Sequence, residues 1–480
     1  MLFLTDYPQI QIVRDMAKRR KKEVYLVGGF LRDFLLGKDC RDFDFAVEKD
    51  AIGFARMFAN KIKGAFILLD QEHGCARVAR KQGGKIYTFD FADFRAPTLK
   101  KDLAHRDFTI NTFSACINDV SVKDKVEDVI CDFRKGKPDL SAKRIRMVSV
   151  KAFKEDPLRL LRAFSLRAGL GFKIEQKTLT QMQKDKDLIR DVSYERIREE
   201  LFKVLESPRA AENLKAMDRM GLLVKIIPQI AVMYGVKQGT YHHLDVWPHS
   251  LETVVQVEKL IKEHAGDRDV MTYFQEPIAG ERSRLALLKL AAVVHDIGKP
   301  ETRKKEPGRL TFHAHERVGR GITKHVANLL KLSTKERVAL QDMVLWHLRP
   351  GYLSNFKRPS EKAIFRYMRD TKEETVSIAF LSLADQRATC GPLTTDQDQA
   401  HHEKICLDLV KRYFKKKKEK PFVRLINGDD LIKTLKLKPS PLFSKILNAV
   451  EEAQVVGKIK TKKEALSYAR KILMSADKKR

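Results

Sequence analysis

The chain has 480 residues, room for about three domains at roughly 100–200 residues each, and 43% of it is hydrophobic, enough for buried cores. It is strongly basic, with 94 Lys and Arg against 63 Asp and Glu and a formal net charge of +31, the electrostatic footprint of a polyanion binder. The six cysteines form no CxxC pair, no apolar run reaches the roughly 18–20 residues of a membrane span, and MLFLTDYPQI is no signal peptide. A zinc ribbon, a disulfide framework and a membrane partner are therefore excluded, and the expected location is cytoplasmic.

In chain order, "EVYLVGG" reads as a strand entering a glycine turn and "FLRDFLLG" as a short helix stopped by Gly37. "RDFDFAV", "GAFILLD", "CARVARK" and "KIYTFDFADF" follow as strands, so residues 1–150 form a small mixed α/β head. From Lys151 onward, "PLRLLRAFSLRAGL", "YERIREELFKVL" and "AAENLKAMDRMGLL" carry apolar residues at helical spacing, and strand signals nearly vanish. The fold class is α+β: the head, a helical neck over 151–235, a histidine-rich helical domain over 236–395, and a linker with a helical tail over 396–480. Nine of the thirteen histidines fall between His242 and His347, which argues for a separate site there. "KRYFKKKKEKPF" reads as a solvated linker in preference to a phosphate-tracking patch.

Gly28 and Gly29 sit between a strand and a helix start, where the backbone can approach a phosphate. A glycine pair alone more often serves a tight turn. Asp42 and Asp44, two apart on a strand, project from one face while Phe43 and Phe45 project from the other. Paired carboxylates on a rigid strand suit Mg²⁺ when the ion must also hold a triphosphate. Arg32 and Asp33 lie between the two features.

"LVGGFLRDFLLGKDCRDFDFAV" resembles the signature of the class II tRNA nucleotidyltransferase and bacterial poly(A) polymerase family, within the polymerase-β superfamily. The resemblance implies a polymerase-β-like head in which Asp42 and Asp44 hold two Mg²⁺ ions, Gly28 and Gly29 cradle phosphates, and Arg32 neutralises charge. "HRDFTIN" is similar to the family's second motif, which implies that Arg106, Asp107 and Asn111 handle triphosphate and ribose. Where the family more often has Arg-Arg, this chain has His105-Arg106. "DFRKGKPDL" resembles the hinge motif, "EDPLRLLRA" the nucleotide-selecting motif with Asp156, Arg159 and Arg162, and "RIREEL" the helix that braces it.

Asp156 and Arg159, three apart, would share one face of a helix. The carboxylate accepts and the guanidinium donates, a pattern complementary to the pairing edges of cytosine and adenine. Asp156 before Pro157 is equally a helix N-cap, and the residues alone leave both readings open. The resemblance implies base selection, with CTP and ATP as substrates.

"LALLKLAAVVHDIGKP" brings His295 and Asp296 to a helix end. With His249, His315, His347 and Asp385 they make a set suited to a divalent transition metal that activates water on a phosphate ester. This set resembles the HD phosphohydrolase superfamily, which is fused to some tRNA nucleotidyltransferases. The resemblance implies His249, His295, Asp296 and Asp385 as ligands of Ni²⁺, Mn²⁺ or Co²⁺, and His315 and His347 as partners of a second metal or of phosphate. His242, His243 and His313 match no motif position.

The implied activity is template-independent addition of CCA, or of CC or A alone, to the tRNA 3′ end, releasing pyrophosphate. The basic helical neck and tail would grip the tRNA acceptor arm through shape and phosphates, with no obligate protein partner. The family's segment between "GCARVARK" and "HRDFTIN" often carries a longer flexible loop; here it is short, as in the CC-adding or A-adding specialists and in some compact complete enzymes. The alternatives are a poly(A) polymerase, an HD metal phosphohydrolase with an RNA-binding head, and a non-enzymatic RNA-binding scaffold.

Overall fold

The computed structural model describes residues 7–119, 129–239, 242–307, 309–389, 391, 395–419, 423–438 and 440–477. Residues 1–6 of the N-terminal segment read above, and Cys390, lie outside them. Two compact units result, Met1–Val204 with Met217–Ile226, and Leu205–Ala216 with Ile227–Arg480.

The first unit is built on a six-stranded sheet of β1 (Val24–Val27), β2 (Asp42–Val47), β3 (Ala65–Asp70), β4 (Cys75–Gln82), β5 (Lys85–Asp93) and β6 (Ser114–Cys116). Its spatial order is β3-β4-β5-β2-β1-β6, and β2 and β5 run parallel while the other pairs are antiparallel. The tetrapeptide Phe-Asp-Phe-Ala occurs in both β2 and β5, and the register aligns the two copies residue for residue. Phe43 stacks on Phe89 and Phe45 on Phe91, each pair at 4.9 Å between ring centroids. Because side chains alternate along a strand, this aromatic packing on one face commits Asp42, Asp44 and Asp90 to the other.

Helix α1 (Pro8–Arg20) precedes β1, α2 (Gly29–Leu35) follows it, and α3 (Ala51–Ile62) covers the aromatic face. In α3, Ala51, Phe54, Ala55, Phe58, Ala59 and Ile62 recur at helical spacing and are all buried, and Asp50 caps the first turn by accepting from the Gly53 N–H. The strands expected in the head all form. Beyond it stand α4 (Arg159–Leu170) and α5 (Tyr194–Glu206).

In the second unit, α6 (Val246–Glu263), α7 (Arg284–Val294), α8 (His315–Leu329), α9 (Thr334–Trp346), α10 (Glu361–Thr371) and α11 (Thr375–Arg387) form the histidine-rich bundle. Every residue of α7 after Arg284 and Leu285 is buried, and the first ten residues of α11 are too, so both helices are enclosed on all sides. They are the rigid posts that carry His295, Asp296 and Asp385. Helix α12 (Asp396–Lys418) runs through most of "KRYFKKKKEKPF", so the expected linker is helical as far as Lys418. Cys406, Leu409, Val410 and Tyr413 bury one face of α12, lysine is a good helix former, and four lysines in the last turn favour the negative helix end. Helices α13 (Pro441–Val455) and α14 (Lys462–Asp477) close the chain around a small core that includes Ile446, Val450 and Ala465. Among the described residues, no helix is long and apolar enough to cross a membrane.

Candidate active site and HD metal centre

Two cavities in the first unit share the acidic face of β2 and β5. One, of about 270 Å³, is lined by Gly28, Asp44, Arg106, Asp107, Asp156 and Arg159, together with Asp90 and Arg162. The other, of about 650 Å³, is lined by Arg32, Asp42, Arg77 and Lys203, and again by Asp44, Asp90 and Arg162. Asp44 and Asp90 therefore stand at the junction, while Asp42 faces the second cleft alone.

The carboxylates differ in their surroundings. Asp42 accepts from the Thr88 hydroxyl. Asp90 is held by both ends of Arg77, at 2.7 and 2.8 Å. Burial raises the Asp44 pKa against the opposing pull of Arg106, and neighbouring Asp90 and Asp42 add to the rise. Asp44, buried beside two further acids on paired strands and only partly offset by Arg106, is a carboxylate setting that suits a divalent cation. Asp90 was missed in the sequence reading; the repeated Phe-Asp-Phe-Ala was the available signal.

Gly28 has φ of +83°, and a Cβ there would lie 2.8 Å from Arg106 Nη1 and 3.0 Å from Asp44 Oδ2. Only glycine lets the turn pass this close to both groups. Gly29 lines both cavities. Asp107 is buried yet held below the usual carboxylate range: burial opposes its charge, but Arg162 at 2.9 Å, the Asn111 amide and the Phe108 N–H outweigh it. Arg32 donates to Asn111 at 2.5 Å and grips Asp33 with two bonds of 2.9 and 2.6 Å. It thus reaches the smaller cavity through Asn111 and Asp107.

Asp156 and Arg159 line the same cavity but do not share a helix face, contrary to the spacing argument. Asp156 is extended backbone between two helices, and α4 begins only at Arg159, because Pro157 disfavours helix at the residue before it. One Asp156 oxygen accepts from the Leu158 N–H at 3.2 Å, so part of the capping reading is realised. The other accepts from Arg196 of "RIREEL" at 2.8 Å, which is the bracing contact. Arg159 donates to the carbonyls of Ala152, at 3.0 Å, and His105. The departure at His105 is structurally accommodated: its ring pairs with Glu155 at 3.3 Å while its backbone positions Arg159.

In the second unit, six side chains converge in two groups, His249, His295 and Asp385, and Asp296, His315 and His347. Asp296 faces both, with Oδ2 3.2 Å from His295 Nε2 and Oδ1 3.3 Å from His315 Nε2. Three histidines fix their Nδ1 on a backbone carbonyl, His295 on Ala292, His315 on Phe312 and His347 on Val344, at 2.7–2.9 Å, which points every Nε2 inward. His295 Nε2 and Asp296 Oδ2 are buried without a hydrogen-bond partner of good geometry. Burial disfavours a charged His295, but Asp296 and Asp385 prevail and push its pKa up to about 10. An acidic pocket that draws a proton so strongly is one that a metal ion can neutralise instead. Lys299, 2.7 Å from Asp296 Oδ2, and His242, whose ring packs 4.9 Å from that of His249, adjoin the centre and were not assigned from sequence.

Residues 24–146 match the model of the poly(A) polymerase head domain, 246–390 that of the HD domain, and 415–469 that of tRNA nucleotidyltransferase domain 2. Over 456 residues the chain is 30% identical to the A-adding tRNA nucleotidyltransferase of Deinococcus radiodurans, covering 93% of this chain and 94% of that one. The chain belongs to the tRNA nucleotidyltransferase family. It is 29% identical to the CC-adding tRNA nucleotidyltransferase of Thermus thermophilus, with 93% of each chain covered. The family fold is shared by the Thermotoga maritima CCA-adding enzyme, at TM-score 0.59 and 20% identity over 98% of this chain and 96% of that one. Family membership makes the chain a metal-dependent nucleotidyltransferase with an attached HD domain.

Proposed function

We propose that the chain extends tRNA 3′ ends from CTP or ATP and adds only part of CCA. The observation that carries the chemistry is the placement of Asp44 and Asp90 where the two cavities meet. A nucleotide in the smaller cavity has its α-phosphate beside the same carboxylates that an RNA 3′-hydroxyl meets from the larger cleft, as in-line displacement requires.

Asp42 and Asp44 would hold Mg²⁺, which when bound would supply activation of the attacking hydroxyl and charge neutralisation for the departing pyrophosphate. Arg106 and the Gly28 turn bind the triphosphate, and Asp107 and Asn111 orient the ribose. Asp156 accepts from the exocyclic amine of cytosine or adenine while Arg159 donates to the adjacent ring nitrogen. Arg196 and the His105 carbonyl keep that pair in position.

Partial addition is favoured by the compact segment after β5, where only residues 94–98 precede the helical turn Leu99–Asp102. Of the relatives named above, the two at 30% and 29% identity are an A-adding and a CC-adding enzyme, while the complete CCA-adding enzyme is 20% identical. The test is incubation with tRNA lacking CCA, ending in C or ending in CC, with CTP and ATP separately and together. Addition of CC alone or A alone supports the reading; complete CCA from the shortest primer overturns partial addition, and no addition to any primer overturns the chemistry.

The six-residue cluster favours a second activity, a metal-dependent phosphohydrolase at the HD centre. His249, His295 and Asp385 would hold one divalent ion such as Ni²⁺, Mn²⁺ or Co²⁺, His315 and His347 a second, with Asp296 between them. Protein that retains none of these metals after dialysis would end that reading.

A further inference from the structure

Helices α8 and α9 form a hairpin whose open end carries His315 and His347 toward the HD centre. The same two helix ends, with the short helix Arg349–Ser354, enclose a separate cavity of about 560 Å³. Arg317, Arg320 and Arg349 line it against one acidic residue, Glu316, with Trp346 and Tyr352 as its aromatic wall. Among the described residues, Arg317 and Arg320 make long ion pairs, at 3.9 and 3.8 Å, so their charge is weakly compensated. Arg349 is different: it is bound to Asp370 at 2.7 Å and lies 4.8 Å from the Trp346 ring centroid, which holds the indole in place.

Tyr352 and, just beyond the cavity, Phe356 expose 58% and 62% of their surface, and Lys357 and Arg358 follow directly. Burying apolar surface is the rule for such rings, and neither is needed for the core. Aromatic faces set among weakly paired arginines are the recognition chemistry of a single nucleic-acid strand: bases stack on the rings and phosphates pair with the guanidinium groups. An apolar protein partner would leave Arg317 and Arg320 unanswered, whereas a phosphodiester backbone answers both.

We propose that this basic aromatic patch is a single-stranded RNA site, separate from the nucleotidyl-transfer centre. It needs neither the Asp42–Asp44 chemistry nor a metal at the HD centre, so it stands or falls apart from both.

The chain has only two tryptophans, and Trp247 is buried. Full-length protein carrying Trp247→Phe therefore reports on Trp346 alone. Titration with a mixed-sequence single-stranded RNA octamer is expected to quench Trp346 emission, and raising salt should weaken the effect. Tyr352→Ala, and separately Arg317→Glu with Arg320→Glu, should each raise the apparent Kd about tenfold or more. The side chains of Arg317 and Arg320 are 80% and 48% exposed, so the double reversal should leave folding intact, which a thermal melt verifies. Emission that ignores the RNA, or a quench that survives reversal of both arginines, overturns the proposal and leaves the patch to a protein partner.

Discussion

Asp44 and Asp90 occupy equivalent positions on paired strands, yet their neighbours give them different work. Asp90 already has a bidentate partner in Arg77, while Asp44, with a raised pKa, has lost solvent without gaining an equal counterion. If Asp44 holds the metal as proposed, Asp44→Asn should slow nucleotide incorporation about 10³-fold or more, a loss of roughly 4 kcal/mol in transition-state stabilisation. Asp90→Asn should cost less, about tenfold to a hundredfold, because it loosens Arg77 and the junction without removing the main ligand. Single-turnover incorporation measured across Mg²⁺ concentrations separates the two; equal losses would show that Asp90 is a full ligand. Arg159→Ala tests the base-reading pair. The CTP-and-ATP preference over UTP and GTP should fall about tenfold to a thousandfold while Mg²⁺ dependence is retained. Unchanged selectivity would leave Arg159 as only the strut between Ala152 and His105.

At the scale of elements, close backbone approach and buried ion pairs set what can change. A Cβ on Gly298 would sit 2.2 Å from the His315 carbonyl and 2.6 Å from the Gly319 N–H, both backbone of α8. Gly298→Ala must push α8 away from the end of α7, and should cost about 2–4 kcal/mol. The same shift separates His315 from Asp296, so metal retention at the HD centre should fall together with the melting temperature. Helices α10 and α13 are tied differently. Arg366 grips Glu452 of α13 at 2.8 and 2.7 Å, and Arg369 adds a bond of 2.9 Å. These partners, Arg366 first, lower the Glu452 pKa from 4.5 to about 2. Its folded value lies below its unfolded one, so the stabilisation is complete above pH 4.5 and fades as pH falls toward 2. Glu452→Gln should destabilise by about 3 kcal/mol at neutral pH, with the gap to the wild type closing in acid. A gap that persists at pH 2.5 in melting curves would assign the loss to packing.

Across the whole molecule, what the sequence revealed depended on how local the determinant was. The head strands, α2 and the acidic pair were legible because alternation and the glycine turn are written in consecutive residues. Asp90 and Lys299 escaped notice because their significance comes from strand register and from a neighbouring helix turn. Spacing put Asp156 and Arg159 on one helix face, whereas the two line one cavity through a proline-broken junction that spacing cannot describe. The lysine run was misread because charge alone cannot show that Cys406, Leu409 and Tyr413 anchor the helix leading into it.

The charge surplus is a property of the intact chain. Lysines and arginines outnumber acids by 31, and few of the cavity residues account for that excess. If six phosphates of tRNA are neutralised by this surface, counterion release predicts an affinity loss of about 10³-fold between 50 and 200 mM salt. A nucleotide bound as proposed in the small cavity would be held by a few partly buried groups around Arg106 and Arg162, which salt screens far less. The KM for tRNA should therefore climb steeply with salt while the KM for CTP or ATP moves only a few-fold. Kinetics at fixed Mg²⁺ over that range decide it: parallel rises in both constants would mean that tRNA is held by the catalytic cavity itself, and that the basic surface of neck and tail is solvated charge.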